Sequence, residues 1–149
     1  MDEFPFEQDD WGRVYAVSTA LTNAALADDD VLYASLFEDL LEVLESLRRK
    51  CGKHPILIET AADFCDDPTA RERLYRDAIQ LAEANALSTM SIRLSLASLL
   101  LLEIGEPAQA MQQLKACEVE VSKDGDDYER QNWIELMDAA SKQIEGRGE

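Results

Sequence analysis

Apolar residues recur at helical spacing from near one end of this sequence to the other, and nowhere do they alternate as a half-buried strand requires. That periodicity restricts the chain to an all-α fold. Asp9 or Asp10 is placed to cap a first helix with Trp11, Val14, Tyr15, Ser18, Leu21 and Ala25 on one face. The run Asp28-Asp29-Asp30 ends it, and its last member is predicted to cap a second helix. There Leu32, Leu36, Leu40, Val43, Leu44 and Leu47 form a stripe that Tyr33, Phe37 and Leu41 widen, predicting burial on more than one side. Gly52 stops this helix at its C-terminal flank.

Prolines punctuate the rest of the chain. Pro55 opens a third helix, Ile56 to Phe64, which breaks at Asp66-Asp67-Pro68. Asp67 caps a fourth, with Glu72 and Arg76 paired one turn apart and a core stripe of Leu74, Tyr75, Ala78, Ile79 and Leu81. Ser88 or Thr89 starts a fifth helix that Gly105 ends, and its run Leu99 to Leu102 points in too many directions for one face, as in a central core helix. Pro107 opens a sixth, with Ala110, Met111, Leu114 and Cys117 inward. After the turn Lys123 to Asp127, a seventh carries Tyr128, Trp133, Leu136, Met137, Ala140 and Ile144.

Leu94, Ala97, Ser98, Leu101, Gly105, Ala110, Leu114 and Cys117 set bulky and small residues on two helices either side of a glycine turn. This order resembles the tetratricopeptide repeat, in which small residues let paired helices approach and bulky ones fill the space between repeats. A degraded upstream copy has Ala61 and Ala62 on its first helix and Tyr75 and Ala78 on its second. It departs from the pattern at Arg71, where alanine belongs, and Tyr75 and Leu114 lie 39 residues apart against a period of about 34. The resemblance covers about residues 55 to 145 and implies a right-handed superhelix of about seven antiparallel helices in one domain, 1–149. Its parts would be a divergent helix pair (1–53), two tetratricopeptide-like hairpins (54–123) and a C-terminal capping helix (124–149).

Charge narrows the function. Thirty-one acids against fourteen bases give a net charge of -17, and residues 1–47 hold twelve acids but only one base, Arg13. Phosphate backbones and anionic membranes would be repelled, whereas a basic protein partner is the electrostatic complement. Solubility alone would also account for the excess of acid. The cluster Arg48, Arg49, Lys50 and Lys53 falls at the end of the second helix, where cations suit the helix dipole. The N-terminus lacks the basic region of a secretory signal, and Cys51, Cys65 and Cys117 show no pairing pattern, so reduced thiols and a cytoplasmic setting are expected.

Residues for catalysis are lacking. His54 is the sole histidine and sits at a helix start, where capping or packing explains it better than a triad. One histidine and three scattered cysteines make a poor zinc site, no glycine-rich phosphate loop is present, and Asp124-Gly125-Asp126-Asp127 lacks the frame of a calcium loop. Neither metal nor cofactor is expected, nor enzymatic activity.

Finally, His54-Pro55, Ala61-Ala62-Asp63-Phe64, Leu74-Tyr75-Arg76-Asp77-Ala78 and Ser91 to Ala97 are together similar to small bacterial repeat proteins, some of which act as immunity proteins beside secreted toxins. That resemblance implies a protein that neutralises a basic toxin domain by covering its active site. The expected contact residues are Glu38, Asp39, Glu42 and Glu45 on the second helix, with Glu59, Asp63, Asp66 and Asp67 near the following hairpin turn. The alternative is an adaptor or secretion chaperone that holds an extended client segment in a tetratricopeptide groove.

Overall fold

A computed structural model describes residues 4–147, and every regular element among them is helical. Eight α-helices run α1 Gln8–Leu26, α2 Asp30–Cys51, α3 Pro55–Phe64, α4 Pro68–Ala84, α5 Met90–Leu99, α6 Pro107–Ala116, α7 Glu118–Asp124 and α8 Asp127–Arg147. A π-helical segment, Leu100–Ile104, continues α5. Successive helices pair: α1 packs on α2, α3 on α4 and α5 on α6, while α4 lies against α5, and α8 against both α5 and α6.

The helix starts follow from local chemistry. Pro55, Pro68 and Pro107 open α3, α4 and α6, where a missing amide hydrogen costs nothing. His54 Nδ1 accepts the Ile56 amide at 3.1 Å, so the sole histidine caps α3. The Asp67 carboxylate accepts the Ala70 amide at 3.1 Å and caps α4. Two expectations shift by a residue or more. Asp29, not Asp30, accepts the Leu32 amide at 3.0 Å and caps α2. α1 opens at Gln8 after Glu7 without a side-chain cap, which leaves Asp9 and Asp10 in its first turn. There Asp10 pairs with Lys50 at 2.8 Å and ties the start of α1 to the end of α2.

Buried apolar side chains gather in two clusters that meet at α3. Phe6, Val14, Leu21, Leu40, Val43, Leu44, Leu47, Leu57 and Ala61 form the first, between α1, α2 and α3. Ala62 belongs to the second, with Tyr75, Leu96, Leu99, Leu100, Leu114 and Leu136. Adjacent alanines on α3 thus face different cores, which lets a short helix pack on both sides. Each fully buried leucine stabilises the fold by about 1.5–3 kcal/mol. The widened stripe expected on α2 holds in part: Tyr33, Leu36 and Phe37 pack against the first cluster and Tyr33 donates to the Phe64 carbonyl at 2.6 Å, whereas Leu32 and Leu41 are 46% and 42% exposed. Tyr15, Ala25 and Tyr128, expected inward, are also exposed.

The sixth expected helix is two. The Leu114 carbonyl, which a continuous helix would offer to residue 118, accepts the Trp133 indole Nε1 at 2.7 Å. The α-helical ladder stops at Cys117, and α7 begins at Glu118. Cys117 is buried, as expected, and its thiol is pushed up to about 11, chiefly by burial.

Candidate functional site

α3, α5 and α8 present side chains to one open groove of about 650 Å³. The short side chains of Ser91, Ser95 and Ser98 lie along α5 at positions i, i+4 and i+7, one face of a helix. Being small, they leave the groove open and set hydroxyls along it. Leu94 and Leu99 add apolar floor, and Tyr128 and Asn132 of α8 close the far side.

A polar network occupies the end nearest α4. Tyr75, almost wholly buried, donates its hydroxyl hydrogen to Asp63 Oδ1 at 2.5 Å. Arg71 reaches the same hydroxyl through Nη2 at 3.4 Å, the Glu103 carboxylate through Nη1 at 2.9 Å and the Ala62 carbonyl through Nε at 3.1 Å. Its guanidinium carbon lies 5.9 Å from the Tyr75 ring centroid, within cation–π reach. Burial works against the Arg71 charge, but Tyr75, Glu103 and Asp63 outweigh it and raise its pKa. Burial also raises the pKa of Tyr75, with the Asp63 charge adding to it.

One turn earlier on α3, Glu59 accepts the Ser91 hydroxyl at 2.9 Å. Its carboxyl is pushed up to about 7, mainly because protein displaces its water; the Asp63 charge acts in the same direction and the Ser91 hydrogen bond opposes both. Asp63 is open to the groove but surrounded by protein on its other sides. This desolvation raises its pKa against the pull of Tyr75 and Arg71. Asp63, which lines the groove, is therefore set to gain from a cation entering it.

Glu103 is positioned by the π-helical segment. A π turn holds one residue more than an α turn. Had α5 continued as an α-helix, residue 102 would follow Ser98 on the groove face. The extra residue instead leaves Leu102 outside, 69% exposed, and brings Glu103 over Arg71. Gly105 ends the segment with φ 81°, a left-handed conformation that glycine adopts without strain.

The expected contact residues fall into three settings. Asp63 lines the groove and Glu59 lies one helical turn away on α3. Asp66 and Asp67 stand in the α3–α4 connection, where Asp67 is occupied as a cap. Glu38, Asp39 and Glu42 project from α2 into solvent, outside the groove, and make no hydrogen bond or ion pair among the described residues. Glu45 is instead held by Arg48 at 2.6 Å and Arg49 at 3.4 Å, and the Arg48 hydrogen bond draws its carboxyl down to about 2. Among the described residues, no group of three or more histidine, cysteine or carboxylate side chains is arranged to hold a metal ion. Nor is any helix long and apolar enough to cross a membrane.

No protein-family model, curated protein or solved structure matches the chain.

Proposed function

We propose that this chain is a tetratricopeptide-like protein-binding module whose groove takes a basic, extended segment of a partner protein. The successive hairpins support the repeat architecture, with α3, α5 and α8 lining the groove, Arg71 and Tyr75 of α4 closing one end and α6 behind. The observation that carries the reading is the charge of the groove. Asp63, Glu103, Asp126 and Glu129 line it against a single cation, Arg71, whose donors are already engaged by Glu103, Tyr75 and the Ala62 carbonyl. A lysine- or arginine-rich segment would relieve this excess, and the serine row and Asn132 would bond its backbone. An adaptor or secretion chaperone is the kind of protein that uses such a groove.

One observation favours a second reading, an immunity protein that caps a folded basic toxin domain. The exposed carboxylates of Glu38, Asp39 and Glu42 on α2 are uncompensated by any ion pair among the described residues. They suit a convex basic surface better than an extended segment.

Affinity capture with three forms of the chain separates the two: wild type, Ser95→Trp to fill the groove, and Glu38, Glu42 and Glu45 all changed to Lys. The groove reading expects a basic partner that is released at high salt, lost with Ser95→Trp and retained by the α2 variant. Loss with the α2 variant and retention by Ser95→Trp would assign the function to the α2 face instead. Capture unaffected by either change would refute both.

A further inference from the structure

A second cavity, of about 440 Å³, opens between the end of α2, the start of α3 and the outer side of α4. It shares no lining residue with the groove. Leu57 and Ile58 from α3, with Leu81 and Ala84 from α4, make its floor aliphatic. Its rim is polarised. Arg48 and Lys53 stand at the α2–α3 end and Asp77 on the α4 wall.

Lys53 and one nitrogen of Arg48 are available at this rim. Glu45 holds Arg48 through Nε and Nη2, at 2.8 and 2.6 Å, which fixes the guanidinium and leaves Nη1 without a hydrogen bond among the described residues. Lys53 is exposed and forms no ion pair among them. In a chain with net charge -17, the exposed Lys53 and the remaining Nη1 donor of Arg48 set positive charge over an aliphatic cavity.

We propose that this cavity binds a small aliphatic carboxylate, its chain on Leu57, Ile58, Leu81 and Ala84 and its carboxylate between Arg48 and Lys53. Size and lining fit the class: ligand cavities are commonly about 300–1,000 Å³, mostly apolar, with few polar groups that fix orientation. Asp77 repels the head from the α4 side and so selects one orientation. Because none of these residues lines the groove, this site stands or falls apart from the proposed protein-binding function.

Titration of the whole chain with octanoate, followed by amide and methyl NMR, tests the site. The resonances of Leu57, Ile58, Leu81 and Ala84 are expected to shift and saturate together. A variant with Arg48→Gln and Lys53→Gln should bind about tenfold more weakly, as expected for removal of a charged hydrogen-bond partner. Uncharged 1-octanol should be weaker than octanoate by a similar factor. Ala84→Trp, at the exposed last residue of α4, should fill the cavity and abolish the shifts without loss of helicity. Absence of saturable shifts at these residues, equal binding of octanol, or unchanged affinity in either variant would overturn the assignment.

Discussion

Glu59→Gln provides a test of the electrostatics of α3 beside the groove that needs no partner. The carboxyl of Glu59 is raised from 4.5 to about 7, with burial the main cause. Between those values the folded protein holds a proton that the unfolded chain has released, so stability falls as pH rises through that interval and the full penalty is present above it. One pKa unit corresponds to about 1.4 kcal/mol. Residual solvent contact screens part of this, leaving a penalty of about 2 kcal/mol at pH 8. The amide of the Glu59→Gln variant would still accept the Ser91 hydroxyl but would never ionise. For a chain of this size, each kcal/mol moves the melting temperature by about 2–4 °C, so Glu59→Gln should melt about 4–8 °C higher than wild type at pH 8. At pH 5, where Glu59 is largely protonated in the folded state, the two should nearly coincide. Thermal unfolding by circular dichroism at both pH values measures the difference. Glu38→Gln, at an exposed position on α2, controls for removing one negative charge from the molecule. An equal Glu59→Gln effect at both pH values, or a variant less stable at pH 8, would refute the desolvation argument.

Two other substitutions address the site's construction. Tyr75→Phe removes the hydroxyl that bonds Asp63 and should cost about 1–3 kcal/mol in urea unfolding at neutral pH; because that bond lowers the Asp63 pKa, NMR titration should find it raised further in the variant. Deleting Leu102 should convert the π turn to an α turn and keep Glu103 on the groove face, so the Arg71–Glu103 pair should survive and stability should change by less than about 1 kcal/mol; a loss beyond about 2 kcal/mol would show that the wide turn holds the core rather than the pair.

The fold class was legible because the apolar period is strong, and helix ends were legible wherever a proline or glycine limits the backbone. Pro55, Pro68, Pro107 and Gly105 each mark a boundary within a residue. The aspartate runs were less informative, since adjacent carboxylates compete for one cap and the turn geometry selects Asp29 over Asp30. The split at Cys117 depends on Trp133, sixteen residues downstream, taking a carbonyl from the helical ladder, and local pattern contains no trace of that. At the amino end, the Phe4-Pro5-Phe6 leader shows little in sequence beyond its acidic surroundings. It forms an aromatic group with Trp11 and His54, in which Phe6 stacks on Trp11 with centroids 5.4 Å apart.

The groove was only partly visible, because acidic clusters show where charge is abundant and not where it is confined. Glu38 and Glu59 are the same residue type, yet one stands in open solvent and the other is desolvated between helices. Arg71 illustrates the difference most clearly. As a letter it is a flaw in a repeat, a long cation where alanine belongs. In the structure it crosses from α4 to the groove, engages Glu103 and shares the Tyr75 hydroxyl with Asp63. The same substitution that weakens the sequence match therefore draws α3, α4 and the π segment into one network. The row Ser91, Ser95 and Ser98, small polar residues at helical spacing on a largely apolar helix, is the signal that would have located this network's groove from sequence. A polar stripe on a central helix needs solvent or polar partners, and here it faces an acid-lined groove, with Ser91 also donating to Glu59.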